Sequence, residues 1–333
     1  MHLKAAIIGA GSWGTTIASL MAANGPARLW ARDPEVAREI NTDQRNRRYL
    51  EDAALSEKLV ATADIDEAVE FGDVVVMAVP SKAMRITLTE VARKIRPWVP
   101  VISLAKGLEP TTNYRMTQII NEVLPGQPPG VLTGPNLARE ILAGYSAAST
   151  LAMEDETVVR HLRPLFQSTL FRVYSNTDVV GCELGGAFKN VIAIAAGMGD
   201  GIGAGENTRS ALITRGLAEM TRLGTAMGGR AETFAGLAGL GDLLATCTSN
   251  LSRNHTVGMR LGQGQRLDTI IAEMNQVAEG VKTSRMVEAL AAAHDLDMPI
   301  SHQVYRVCHE GITAREAFMA WLRREAGNEA EPG

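Results

Sequence analysis

Three glycines near the start restrict this chain more than any other feature. The stretch KAAIIGAGSWGTTIA places Gly9, Gly11 and Gly14 in a G-x-G-x-x-G pattern between a short apolar run and a helix-compatible segment. In that setting Gly9 permits a tight turn, Gly11 lets the backbone approach a pyrophosphate, and Gly14 lets helix and strand pack closely. The exposed N–H groups of the helix start and the helix dipole favour an anion there. A strand, glycine turn and helix in this order form the first joint of a βαβ unit, and parallel strands joined this way need helices on both faces of their sheet.

The rest of the first half follows that plan. Strand-like runs cover Leu3–Ile8, Ala27–Ala31, Asp73–Val79, Val99–Leu104, Gly130–Thr133, Ala147–Met153 and Leu170–Tyr174. Helical spacing fills Ser12–Ala23, Pro34–Thr42, Ser81–Ile95 and Glu154–Phe166 between them. After about Asn176 the strand signals stop, and helical segments run over 178–199, 206–227, 267–275, 281–295, 300–309 and 313–325. With 333 residues, two domains are expected, residues 1–178 and 179–326, followed by a frayed tail over 327–333. The first long helix of the second half should start at the polar cluster Ser175-Asn176-Thr177-Asp178, whose side chains suit an N-cap.

Bulk properties narrow the function. A net charge of −4 with 5% aromatic residues gives no electrostatic or stacking case for nucleic acid. Cys182, Cys247 and Cys308 are far apart, odd in number and without C-x-x-C spacing, which implies thiols in a reducing cytoplasm and no metal site. The uncharged stretch from Ala5 to Ala27 resembles a signal peptide or membrane span, but its glycines and proline split it into strand, turn and helix. No membrane span is expected.

Isolated polar residues mark further sites. Ligands of open α/β sheets bind beyond the carboxyl ends of strands. VISLAKGLE leaves its strand at Lys106-Gly107, and VLTGPNLAREI does so at Gly134-Pro135-Asn136. At the end of the second strand, LWARDP offers Arg32 for a 2′-phosphate, while Asp33 caps the helix beginning at Pro34, so NADP should be accepted and NAD is not excluded. In the helical half, ELGGAFKNVIAIAAG puts Lys189 on one face with Gly185, Ala193 and Ala196, where bulk is so small that another helix or a ligand must approach closely. GLAGLGDLLATCTSNLSRN supplies Asp242, Thr246 and the triplet Ser252-Arg253-Asn254. Other polar residues read as background: His255 as helix surface or cap, Glu219 with Arg222 as a solvated pair, and Met198, Met220, Met227 and Met274 as packing.

Taken together, the glycine fingerprint, SLAKGLE, GPNLAREI, ELGGAFKNVIAIAAGMGDG, GLGDLLATC, LSRN and VAEGVKT resemble the NAD(P)-dependent glycerol-3-phosphate dehydrogenase family of bacterial type. The resemblance implies an α/β fold, with a Rossmann-type, mainly parallel sheet followed by an all-helical C-terminal domain. It implies reduction of dihydroxyacetone phosphate to sn-glycerol 3-phosphate, a glycerophospholipid precursor, by a cytoplasmic homodimer using NADP or NAD. By the same resemblance, Lys189 is the proton donor and acceptor, with Lys106 and Asp242 beside the substrate. Gly134 and Asn136 flank that substrate, Thr246 lies near it, and Ser252, Arg253 and Asn254 contact its phosphate. Gly9, Gly11, Ser12, Trp13, Gly14, Arg32, Lys106, Ala138, Arg253, Val277 and Glu279 border the cofactor. Two departures stand out: Asn136-Leu137 follows GP where relatives carry Ser or Thr and then Phe, and Glu51 replaces the proline of the N-x-x-Y-L-P loop.

The chemistry suits these residue types. Hydride addition to a ketone builds negative charge on oxygen, and a positioned ammonium supplies both charge and proton. Burial and a second cation, for which Lys106 is available, would lower the lysine pKa from its usual ~10.4, whereas Asp242 would oppose that shift. Arg253 offers a planar fork for phosphate. Two other functions share part of the pattern: a β-hydroxyacid-type dehydrogenase, which would not need LSRN, and a nicotinamide-binding sensor, which would not need Lys106, Lys189 and Asp242 together.

Overall fold

In a computed structural model, residues 3–274 and 278–323 are described; Val277 and the tail 327–333 lie outside them. The chain divides into two compact units. One comprises Met1–Glu109 and Tyr114–Val179, the other Pro110–Asn113 and Val180–Gly333.

The first unit is built on strands β1 (Ala5–Ile8), β2 (Ala27–Trp30), β3 (Val60–Thr62), β4 (Val74–Met77), β5 (Val101–Ser103), β6 (Pro129–Thr133), β7 (Ala147–Ala152) and β8 (Phe171–Asn176). Its helices are α1 (Ser12–Asn24), α2 (Pro34–Asp43), α3 (Arg47–Leu50), α4 (Ile65–Phe71), α5 (Met84–Val91), α6 (Met116–Val123), α7 (Ala138–Leu142) and α8 (Glu156–Phe166). The strands form one sheet in the order β3-β2-β1-β4-β5-β6-β7-β8. Its first six strands run parallel, β7 is antiparallel to β6, and β8 is parallel to β7. The first six follow the doubly wound Rossmann order, whose direction of winding reverses beside β1.

Both faces of the central strands are buried, as period-two side-chain alternation dictates. Ala5 and Ile7 of β1 join Val74 and Val76 of β4 in one core with Ile17 and Met21 of α1 and Val159, Leu162 and Phe166 of α8. Ala6 and Ile8 join Val75 and Met77 in the other, against Leu88 of α5 and Ile119 and Ile120 of α6. Each of the larger apolar side chains among them contributes about 1.5–3 kcal/mol of burial free energy. Strand β3 departs from the sequence reading, which has no strand there. It is three residues long, and its Val60 is exposed, so it carries almost no apolar signature.

The second unit contains α9 (Val179–Gly201), α10 (Glu206–Ala226), α11 (Ala231–Phe234), a π-helical turn over Leu237–Gly241, α12 (Asp242–Thr248), α13 (Arg253–Gly262), α14 (Leu267–Glu273), α15 (Glu279–Ala293), α16 (Pro299–His309) and α17 (Ala314–Leu322). Helix α9 begins at Val179, directly after the polar cluster, as its N-capping side chains suggest. Within that cluster Ser175 and Asn176 also end β8, and Asn176 Oδ1 accepts the Asp178 N–H at 2.8 Å. At 23 residues and mean hydropathy 1.4, α9 is long and apolar enough to cross a membrane, yet 94% of that apolar window is buried within the protein, as for a core helix.

One polar pair and one histidine also differ from expectation. Glu219 is buried in α10 and accepts hydrogen bonds from Ile300 N (2.6 Å), Ser301 N (3.0 Å) and Ser301 Oγ (2.7 Å), which caps α16 from another helix. Burial pushes its carboxyl up to about 7, against the pull of those donors. Its presumed partner Arg222 donates to the Asp297 carbonyl instead. His255 is buried, not on a helix surface.

Candidate active site

The first unit presents a cradle at the carboxyl edge of β1. Gly9 has φ +120°, and a Cβ there would lie 2.7 Å from the Ala78 carbonyl oxygen beyond β4. A Cβ on Gly14 would lie 2.1 Å from the Gly9 oxygen, so α1 packs against the turn with no room for a side chain. Gly11 is the reverse case: a Cβ there would meet nothing within 4 Å. It is also the N-cap of α1 and provides no side-chain cap, so the N–H groups of Ser12, Trp13 and Gly14 are left to an outside acceptor. The indole Nε1 of Trp13 is buried with no hydrogen-bond partner. Open space over one glycine and uncapped donors beneath it fit a dinucleotide pyrophosphate.

Asn46 was not singled out by sequence reasoning, yet it supports this cradle. Fully buried, it donates to the Ala10 carbonyl at 3.0 Å and to Thr15 Oγ1 at 2.9 Å, tying the glycine turn to α1. Its signal was its place as the first residue of the N-x-x-Y-L-P-like loop, just before the short helix α3. Arg32 is exposed just beyond β2. Its neighbour Asp33 does cap α2, accepting the Glu35 N–H at 3.0 Å, while its other oxygen pairs with Arg48 at 3.1 Å. Glu51, at the proline position, takes φ 54° and pairs with Arg139 of α7 at 2.7 Å.

At the same edge, Lys106 beyond β5 donates to the Gly134 carbonyl beyond β6 at 2.7 Å. Gly134 has φ +137° and backs onto Ser149 of β7. Ser149 donates to Asn136 Oδ1 at 2.5 Å, and the buried Asn136 Nδ2 has no partner. Ala138 opens α7 next to these residues. The antiparallel β7 therefore supplies a buried serine that orients Asn136, a role its apolar run gave no reason to suspect.

The second unit assembles Lys189, Asp242 and Thr246. A Cβ on Gly185 would stand 2.6 Å from the Ala238 carbonyl oxygen, so the small face of α9 admits the backbone of the π-helical turn that leads into Asp242. That close approach brings Asp242 Oδ1 to 2.7 Å from Lys189 Nζ, with side-chain exposures of 2% and 6%. Lys189 also donates to Thr246 Oγ1 at 2.5 Å, while the Thr246 hydroxyl donates to the Asp242 carbonyl at 2.6 Å. The single proton of Thr246 is thus committed to the backbone, and its oxygen can only accept from lysine. Among the described residues no acceptor takes the third N–H of Lys189. Cys247 lies next to this group, but burial pushes its thiol up to about 12 and keeps it from acting as a nucleophile.

Helix α13 begins nearby. Ser252 is its N-cap, with Oγ accepting the His255 N–H at 3.2 Å, so the N–H groups of Arg253 and Asn254 lead the helix. Asn254 Nδ2 donates to Asn190 Oδ1 at 2.9 Å, and its Oδ1 accepts the Gly280 N–H at 2.9 Å. One amide therefore joins α13 to the residue after Lys189 and to the first turn of α15. Although part of Arg253 reaches the surface, burial of its guanidinium lowers its pKa from the usual arginine value, against the pull of the negative charge of Glu279, the first residue of α15.

Comparison with known proteins agrees with both halves. Residues 4–159 match the family described as NAD-dependent glycerol-3-phosphate dehydrogenase N-terminus, and residues 178–319 match the corresponding C-terminus. The chain is 60% identical over 333 residues, all of both chains, to glycerol-3-phosphate dehydrogenase (NAD(P)+) 2 of Sphingopyxis alaskensis. It is 54% identical to glycerol-3-phosphate dehydrogenase (NAD(P)+) of Mycobacterium avium, covering 98% of this chain and 96% of the relative. The crystal structure of glycerol-3-phosphate dehydrogenase from Coxiella burnetii superposes with a TM-score of 0.92 at 37% identity, covering 97% of this chain and 99% of that one. With an open glycine turn in one unit, a buried lysine–aspartate–threonine group in the other, and relatives matched end to end, the chain belongs to the NAD-dependent glycerol-3-phosphate dehydrogenase family.

Proposed function

We propose that this chain reduces dihydroxyacetone phosphate to sn-glycerol 3-phosphate, reversibly, with NADPH or NADH, and so supplies a glycerophospholipid precursor. The buried Lys189–Asp242–Thr246 group carries the reading, because a ketone reduction needs one proton donor and little else from the protein. When bound, the dinucleotide's chemistry is hydride donation to the ketone carbon. Lys189 delivers a proton from Nζ to the ketone oxygen and takes it back in the reverse direction. Asp242 and Thr246 hold two of its N–H groups, which leaves the third to aim at that oxygen.

The substrate's phosphate is assigned to Ser252, Arg253 and Asn254 at the start of α13, where main-chain donors and a guanidinium suit it. Lys106, Gly134 and Asn136 are assigned to the same substrate. Gly9, Gly11, Ser12, Trp13, Gly14 and Ala138 are assigned to the dinucleotide, with Arg32 available to a 2′-phosphate. Lys106, Arg253 and Glu279 complete its border. A cytoplasmic homodimer of domains 1–178 and 179–326 is part of the same reading.

The test is nicotinamide oxidation by the purified protein, followed separately with NADPH and NADH. Oxidation should depend on added dihydroxyacetone phosphate. Cofactor binding without turnover on that substrate refutes the reading, and sedimentation tests the dimer.

A further inference from the structure

We infer that His255, through its bond to Asp200, is a positioning residue that sets the aim of the α13 N-terminus at the substrate phosphate. The inference rests on the function proposed above.

Helices α9 and α13 cross on glycine alone. Gly197 and Gly201 of α9 and Gly258 and Gly262 of α13 are each four residues apart, so each pair shares a helix face. A Cβ at these positions would stand 2.1 Å from the His255 oxygen, 2.2 Å from the Met259 oxygen, 2.0 Å from the Ile194 oxygen and 2.5 Å from the Met198 oxygen, respectively. The two backbones touch with no side chain between them. Such a contact fixes how near the helices lie, but it lacks the interlocking ridges that ordinarily fix how one helix slides or twists on another. Packing of α13 on α12, α14, α15 and α17 restrains that freedom in part, and polar contacts beside the crossing restrain it further.

Two are present, made by the two residues that directly follow Arg253. Asn254 is tied to Asn190 and Gly280. His255 Nε2 lies 2.7 Å from Asp200 Oδ2, about three turns along α9 from Lys189. Asp200 is itself held by Arg209 of α10, at 3.2 and 3.3 Å. The turn that carries Arg253 is therefore pinned at two points to the helix that carries Lys189, one near the lysine and one well beyond it. The imidazole is not there for packing alone. Its Nδ1 is buried with no partner, a cost that an apolar side chain of similar size would not incur. What the ring gains is the bond from Nε2.

The experiment uses the full-length enzyme and compares His255→Ala, His255→Gln and Asp200→Asn with wild type. Glutamine places an amide nitrogen where Nε2 stood and preserves the donor to Asp200. Readouts are KM and kcat for dihydroxyacetone phosphate, turnover of dihydroxyacetone, which lacks the phosphate, and competitive inhibition by inorganic phosphate. His255→Ala should raise KM for dihydroxyacetone phosphate and weaken phosphate inhibition by about tenfold, the scale expected for a misaimed binding group. Its kcat and its turnover of dihydroxyacetone should change little, and His255→Gln should return KM to within about twofold of wild type. Unchanged KM in the alanine variant, an equal loss on both substrates, or failure of glutamine to rescue overturns the inference. If the alanine variant does not fold, the other two carry the test: KM near wild type for glutamine and several-fold higher for Asp200→Asn supports it, and equal values refute it. Wild-type enzyme inactive on dihydroxyacetone phosphate would instead overturn the parent reading, and this inference with it.

Discussion

Lys189 and Asp242 are nearly sealed from water and lie 2.7 Å apart, each the other's ion-pair partner. Removing one partner of such a pair typically costs about 3–5 kcal/mol, because the survivor is left buried and alone. Lys189→Ala should therefore lower the melting temperature as well as kcat, the latter by about 10²–10⁴-fold if the amine is the proton donor. Adding Asp242→Asn to that variant separates the two effects. The double variant should regain much of the stability and none of the rate, while dinucleotide affinity measured by titration stays close to wild type in both. Glu219 gives a second prediction at this scale. Its carboxyl titrates near 7 in the fold against an ordinary 4.5, so between those values the folded chain keeps a proton that the unfolded chain has released. Raising the pH through that window lowers stability, by an amount on the order of 3 kcal/mol. Melting curves of wild type and Glu219→Gln across that range should converge or diverge accordingly: the wild type loses stability relative to the variant as pH rises, and parallel curves would remove Glu219 from this role. Sequence spacing marked Lys189 because a cation among small residues is anomalous on any face. It could not mark Glu219 or His255, whose partners Ser301 and Asp200 are distant in the chain and make a surface-like residue a buried one.

Among the elements, the glycine turn was legible because each of its three glycines answers a different steric demand, and the demands lie within a few residues of each other. The same distinction gives a paired test. Gly11→Ala puts a methyl into open space and should leave the melting temperature of the protein without cofactor nearly unchanged, while dinucleotide affinity falls. Gly14→Ala drives a methyl to 2.1 Å from the Gly9 oxygen and should destabilise the fold by about 1–3 kcal/mol or more before any ligand is added. Thermal melting with and without NADPH distinguishes the two; equal behaviour would mean that Gly11 does not face the ligand. Other elements were illegible for physical reasons. Strand β3 is too short and too exposed to show alternation, and the short α12 and α13 are separated by Ser249–Ser252 and preceded by the glycine-rich Gly236–Gly241, which read as loop. Their helical state is won from tertiary contacts such as the glycine crossing of α9 and α13, which local propensity does not contain. Antiparallel β7 was read as one more strand of the series, since an apolar run buried on both faces has no direction in its spelling.

For the molecule as a whole, the alternation of strands and helices followed by helices alone was enough to anticipate both units, though not the loop residues Pro110–Asn113 that group with the second. The most membrane-like segment proved to be the α9 core helix, while the uncharged stretch near the start resolved into β1, α1 and the beginning of β2. The fate of the sulfur atoms has a practical consequence. All three cysteines are buried as thiols, and burial pushes Cys247 and Cys308 up to about 12. A maleimide added to the native enzyme should therefore find nothing to alkylate until the chain opens. The rate of labelling at each position, read by mass spectrometry, then becomes a clock for opening of the second unit, and it should slow when substrate or cofactor holds that unit shut. Prompt modification of the resting enzyme would show that its interior is far more accessible to reagents than its packing suggests.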